Sequence, residues 1–268
     1  MKKLLTFTAI IGILVLGFYF YFHYIGRFQT SENERHIISA DVPSPFDGVR
    51  IVQISDLLVR REECLELLEQ AVEAINVLNP EIIIFTGNLF MPEGLQFEHQ
   101  VRQHLNQLNA SLIQIAVFGY HDLPHYELTY DVLRGADFRI LNNDSLQIFN
   151  QSPIGINMIG AFPTNDRETM EQLLEIHTMD NRLNLLLVSM PTFSTVAFDY
   201  PILAQFSGHC LGTQNLTYPE AACFQFYDGI YQFADTFTLN VSSGLARFHT
   251  ISGLFRQPSI DSFLLIRD

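Results

Sequence analysis

Tryptophan is absent, cysteine occurs only three times, and lysine is confined to Lys2 and Lys3. Each scarcity excludes something. Three cysteines cannot build the disulfide framework of a small secreted scaffold. Cys64, Cys210 and Cys223 contain no Cys-x-x-Cys spacing, so no zinc ribbon or dithiol redox motif is present. Beyond residue 26, thirteen arginines face 29 Asp and Glu, a net charge of −16. A body that acidic is a poor partner for DNA or RNA phosphates, and nucleic-acid binding is excluded as a leading function. Anionic lipid would also repel it unless it were physically tethered. Charged residues nevertheless make up only 16% of the chain and hydrophobic ones 48%, which excludes a disordered acidic tail. The 268 residues suit one large domain.

The tether is at the N-terminus. Leu4 to Phe22 (LLTFTAIIGILVLGFYFYF) is a run of 19 residues without charge. At a helical rise it crosses roughly 30 Å of hydrocarbon. The alternative is a cleaved signal peptide, whose apolar core is shorter and ends at a small-x-small site. Here the run leads instead into Phe18, Tyr19, Phe20, Tyr21, Phe22 and Tyr24, the composition of an interfacial aromatic belt. An uncleaved anchor over residues 1–26 is therefore expected, contacting the lipid bilayer through residues 4–22. Lys2 and Lys3 favour a cytoplasmic N-terminus and a single-pass topology with an extracytoplasmic body. For the cysteines two readings stand: three semi-buried thiols, the expectation adopted, or one bridge, for which Cys210 and Cys223 form the natural pair.

Residues 27–48 are polar and read as a connector, and a domain follows over 49–268. Val49–Ser55 is a short apolar run. Glu62–Leu78 shows helical spacing at Leu65, Leu68, Val72 and Ile75, and Pro80 ends it. Glu81–Thr86 is a second buried strand, Phe97–Leu108 a helix, Leu112–Phe118 a third strand, and Glu127–Leu133 a short helix. Phe138–Leu141, Leu146–Phe149 and Ile154–Ile159 are strand-like, with a helix at Arg167–Thr178 and another buried run at Leu183–Val188. Mostly strands follow to Leu265. Strands alternating with helices first, and strand-rich sequence later, predict an α/β (α+β) sandwich of mixed sheets covered by helices.

The ends of these strands carry short polar and glycine clusters: Ser55-Asp56-Leu57-Leu58, Thr86-Gly87-Asn88-Leu89, Gly119-Tyr120-His121-Asp122, Ser189-Met190-Pro191, and Gly208-His209-Cys210-Leu211-Gly212. Carboxyl ends of strands are where sheet proteins gather ligands, so the five clusters are expected to meet at one cleft. Glycine turns after strands also arise for purely local backbone reasons.

In order and spacing these clusters resemble the calcineurin-like metallophosphoesterases, in particular a bacterial membrane-anchored branch similar to UDP-diacylglucosamine pyrophosphatases. IVQISDL resembles the first family motif, Asp-x-His; IIIFTGNL the second, Gly-Asp; AVFGYHD the third, Gly-Asn-His-Asp/Glu; LLLVSMP the fourth, His-x-Pro; FSGHCLGTQ the last, Gly-His-x-His. The resemblance spans Arg50 to the C-terminus and implies a two-sheet αββα sandwich preceded by one transmembrane helix. It also implies two divalent metals, Mn, Zn or Fe if the protein is active, that activate water against phosphorus.

The same resemblance exposes what is missing. The first metal would use Asp56, a histidine at 58, a bridging aspartate at 88 and a histidine at 211; the chain has Leu58, Asn88 and Leu211. The second would use an asparagine at 120, a histidine at 189 and a histidine at 209; the chain has Tyr120, Ser189 and His209. Of the metal ligands only Asp56 and His209 persist, together with His121, the motif histidine implied to assist the leaving group. Two cations close together need several anionic and imidazole donors, and one carboxylate with one imidazole is a weak set. The expectation is a catalytically inactive relative with no cofactor that binds an unidentified membrane or envelope protein. The alternative is a residual or one-metal phosphodiesterase or pyrophosphatase. Without a metal, Asp56 is expected to accept backbone N–H bonds, His209 to hold its loop, His121 and Asp122 to cap the turn before Pro124, and Tyr120 to fill space. Arg60 and Arg61 are the candidate anion contacts.

Overall fold

In the computed structural model of the chain, the described residues are 31–164, 166–211, 222–233, 236–246 and 258–268, with Gly12 and Gly17 near the N-terminus. The expected anchor from Leu4 to Phe22 lies outside them except for those two glycines. Among the described residues no helix is long and apolar enough to cross a membrane.

The described residues form twelve strands in chain order: β1 Ser31–Ser39, β2 Arg50–Ile54, β3 Ile82–Phe85, β4 Ile113–Ala116, β5 Arg139–Ile140, β6 Asp144–Phe149, β7 Gly155–Gly160, β8 Leu183–Leu187, β9 Ile202–Ser207, β10 Gly229–Phe233, β11 Phe237–Val241 and β12 Ser259–Arg267. The helices are α1 Glu63–Val77, α2 Glu98–Leu105, α3 Tyr126–Gly135, α4 Arg167–His177, and the single turns α5 Ser194–Ala197 and α6 Ala222–Gln225. The strands form two six-stranded sheets, ordered β1-β12-β2-β3-β4-β5 and β10-β11-β9-β8-β7-β6. In the first, β2 to β5 are parallel; in the second, β7, β8, β9 and β11 are parallel.

Parallel strands are connected through helices and are buried on both faces, which is why they read as continuous apolar runs. Ile82–Phe85 is fully buried, as are Leu183–Leu187. One face of each sheet meets the other: Ile51, Ile82, Ile84, Ile115, Leu185 and Phe206 share the inter-sheet core. The outer face of the first sheet packs on α1, α2 and α3 through Val52, Ile83, Leu68, Val72 and Val101. The outer face of the second packs on α4 and α5 through Ile159, Leu186, Met170 and Val196. The layers are helix, sheet, sheet, helix.

Two buried polar groups tie these layers at fixed register. Gln53, on the inner face of β2, donates to Thr86 Oγ1 and to the Ser207 carbonyl, each at 2.9 Å, and accepts from Asn240 Nδ2 at 2.8 Å. Arg35 on β1 donates to Asn240 Oδ1 at 2.6 Å. The chain of bonds crosses both sheets, and each buried amide has its partners, so it holds the sheets together without an unpaired group. On the outer face of the second sheet, Asn157 Nδ2 donates to the His177 carbonyl and to Asn184 Oδ1, satisfying the C-terminus of α4.

Several boundaries depart from expectation. The helix expected from Phe97 begins at Glu98, because Pro92 to Phe97 forms a tighter 3-10 turn in which Gly94 lies against the Val59 backbone. The segment read as a connector contributes β1, which pairs in parallel with β12 from Ser31 opposite Ser259 to Ser39 opposite Arg267. The expectation of three thiols is corrected: Cys210 and Cys223 form a disulfide with Cα atoms 5.3 Å apart, and among the described residues Cys64 alone is free. The bridge ties the turn after β9 to α6, a link between loops that spacing could offer but not select.

Candidate functional site

Parallel strands of both sheets finish at one rim, and the five clusters lie there. Asp56 follows β2, Asn88 follows β3, the 3-10 turn Tyr120–His125 follows β4, Ser189 follows β8, and His209 follows β9. Five non-glycine residues of these loops have positive φ: Asp56 at 51°, Leu58 at 43°, Asn88 at 65°, His209 at 72° and Leu211 at 53°. Asparagine and aspartate tolerate that conformation; leucine has no side-chain bond to offset its strain there. The backbone at 58 and 211 thus keeps a contour that the present side chains do not favour. Strain of this kind concentrates at sites shaped for function.

The centre of the rim is the Asp56 carboxylate, which is fully buried. Its Oδ1 accepts from Asn88 Nδ2 at 2.7 Å; its Oδ2 accepts from Ser55 Oγ at 2.7 Å and from the His209 N–H at 2.8 Å. Asn88 Oδ1 in turn accepts from the His121 N–H at 3.0 Å. That arrangement fixes the amide's orientation, because a carboxylate only accepts and a backbone N–H only donates. Glycines make the approach possible. A Cβ on Gly208 would sit 1.9 Å from Ser55 Oγ and 2.5 Å from Asp56 Oδ2; one on Gly119 would sit 2.1 Å from Asn88 Oδ1.

Below this pair lies a second buried carboxylate. Asp122 accepts from the backbone N–H groups of Asn88 and Leu89, both at 2.7 Å, and of Gly119 at 2.8 Å. It caps its own turn and also clamps the loop after β3, a wider role than the cap expected. Burial pushes its pKa up to about 6; the three N–H bonds oppose that rise and the Asp56 charge adds to it.

The remaining site positions are arranged around this centre. Leu58 is buried, and its N–H donates to the Asn88 carbonyl at 3.0 Å. The Ser189 carbonyl accepts from the Gly208 N–H at 3.0 Å, while its buried hydroxyl has no hydrogen-bond partner among the described residues. The His209 ring stacks on His121 at 6.2 Å and meets the Tyr120 ring at 6.1 Å. Tyr120 packs against the outer core of the second sheet. Arg61 pairs with Glu63 at 3.4 Å, and burial holds the Arg60 pKa below its usual value, with the Arg61 charge adding to the effect. Ser55 and Gly208 belong to the clusters read from the sequence, but their contacts with Asp56 were not read there.

The two metals implied by the resemblance can be tested against these donors. Asn88 points hydrogens, not lone pairs, at Asp56, where a bridging carboxylate would be required. Leu58 and Leu211 bring no donor atom. Among the described residues no three His, Cys, Asp or Glu side chains gather as a metal set. The donor set does not fit a dinuclear centre.

A two-sheet sandwich covered by helices, with this succession of rim loops, is similar to the metallophosphoesterases. The chain is 27% identical over 262 residues to YkuE of Bacillus subtilis, an uncharacterized metallophosphoesterase, covering 93% of this chain and 90% of that one. A 79-residue stretch is 32% identical to the UDP-2,3-diacylglucosamine pyrophosphatase LpxG of Chlamydia muridarum, 30% of this chain but only 24% of that enzyme. The NAD nucleotidase NadN of Haemophilus influenzae shares the fold, with a TM-score of 0.52 at 12% identity over 74% of this chain and 45% of its own. No family model matches the chain.

Two outcomes follow from the buried pair and its neighbour. Asn88→Asp sets two carboxylates in contact without solvent, and urea unfolding at pH 8 should show a loss of about 3 kcal/mol. The loss should shrink on acidification, as one carboxyl takes up a proton, or on addition of Mn²⁺. For Asp122, the folded state holds the proton more tightly than the unfolded chain, whose carboxyl titrates near 3.8. Its stabilising contribution is therefore complete below pH ~4 and is lost as pH rises through about 6, a change on the order of 3 kcal/mol. Unfolding free energies from pH 4 to 8 should show this slope in the native chain and not in Asp122→Asn.

Proposed function

We propose that this protein is a membrane-tethered, non-catalytic phosphoesterase-like domain that works by binding a membrane or envelope partner. The observation that carries the reading is the Asn88 amide donating to Asp56. In a dinuclear phosphoesterase those two positions share cations, which supply both the nucleophile and the Lewis acid. Here the pair satisfies itself: the carboxylate has three donors and the amide has both ends engaged. Neutral and apolar replacements at 58, 88, 189 and 211 fit together, since an unpaired charge left in such a site would be costly.

The uncharged run from Leu4 to Phe22, with Lys2 and Lys3 before it, supports a single-pass anchor with the body outside the cytoplasm. The disulfide between Cys210 and Cys223 supports the same side, because such bonds persist in oxidising compartments. The body's charge of −16 disfavours polyanionic ligands and nucleic acid.

The likeness to LpxG favours a second reading, a residual metal-dependent hydrolase of envelope phosphate esters. One assay separates the two. The purified full chain, supplied with Mn²⁺ and an aryl phosphodiester, should release no phenolate above the rate of its Asp56→Ala variant. Turnover that requires Mn²⁺ and vanishes in Asp56→Ala would establish the hydrolase.

A further inference from the structure

The point where the chain enters the fold has a fixed relation to the rim. β12 runs antiparallel to β2, and β1 runs parallel to β12. β1 therefore starts at the end of the sheet where β2 finishes, beside Asp56. The contacts are close. Ser31 pairs with Ser259; the Ser259 N–H donates to the Gly244 carbonyl at 3.1 Å; and a Cβ on Gly244 would lie 2.7 Å from Asp56 Cβ. The Leu245 and Ala246 N–H groups donate to the carbonyls of Ser55 and Asp56, at 2.9 and 2.7 Å. At one strand spacing per step, Ser31 lies within ~15 Å of Asp56. Eight residues, 23 to 30, separate Ser31 from the end of the apolar run at Phe22. Even fully extended they reach about 28 Å.

We infer that the rim bearing Asp56, Asn88, His121 and His209 faces the bilayer that anchors the chain, so that its contact surface is the lipid headgroup layer of that same membrane. The inference rests on the reading that residues 4–22 span the bilayer, and adds the direction in which the body is turned. A linker of that length entering at the opposite end of the sheets would leave the rim pointing away from the membrane. Entry at the rim keeps it within one short linker of the surface, and the tether overcomes the repulsion that the acidic body would otherwise meet. Ligands presented at headgroup depth reach the rim, while free macromolecules approach the other end, where Asn109 and Ser111 precede β4.

The test uses the full chain in phosphatidylcholine vesicles with a headgroup-labelled acceptor lipid. In a Cys64→Ser background with the disulfide intact, one donor dye is placed at Glu93→Cys, on the exposed rim turn after β3, and another at Ser111→Cys, exposed at the opposite end. At roughly 3.3 Å per residue along the strands the two labels differ in height by most of the sheet's length, so transfer from position 93 should be roughly twofold greater. Equal transfer, or stronger transfer from position 111, in protein that floats with the vesicles overturns the orientation alone. Protein that fails to float overturns both the orientation and the anchor on which it rests.

Discussion

A carboxylate sealed from water needs its charge answered, and everything at the rim of this protein is arranged to answer one. Asp56 is fully buried and accepts from Asn88 Nδ2, Ser55 Oγ and the His209 N–H. Those donors come from the ends of β2, β3 and β9, so a single group draws loops of both sheets together. Gly208 has no side chain because the Ser55 and Asp56 oxygens fill that space. Asp122 repeats the solution one layer away, with three backbone N–H groups in place of side chains. Charge-assisted bonds of this kind are the stronger class of hydrogen bond, and removing one partner leaves the full burial penalty behind.

The same constraint bears on what residue 88 can be. A carboxylate at 88 beside Asp56 needs a cation or a proton between the two groups. The amide at 88 instead donates its own hydrogen to Asp56. The backbone is left-handed at both Leu58 and Leu211, where Leu58 is buried and Leu211 half-buried. The chain's acidity lies mainly on its exterior, and the two carboxylates at the rim are neutralised by donors, not by counter-charges.

Much of this was legible from the residues. Helical spacing at Leu65, Leu68, Val72 and Ile75 placed α1, and the unbroken IIIF run placed a doubly buried strand, because periodicity reports directly on which faces are covered. The rim clusters were visible as glycine and polar residues closing apolar runs, and their order carried the family resemblance. Other features depend on contacts that periodicity does not encode. β1 has a polar sequence because it is an edge strand with one open face, so it read as a connector. Gln53 lies inside an apolar strand, and its partners Asn240, Thr86 and the Ser207 carbonyl across the sheets explain it. Positive φ at two leucines contradicts local preference and is imposed by the surrounding loops.

The central claim is that hydrogen-bond donors, in place of metals, satisfy Asp56. The most direct measurement is the metal content of the full chain, purified without chelator, exposed to excess Mn²⁺, Zn²⁺ or Fe²⁺ and then desalted. The account predicts no stoichiometric metal and no difference between the native chain and Asp56→Ala. Retained stoichiometric metal that Asp56→Ala abolishes would contradict it.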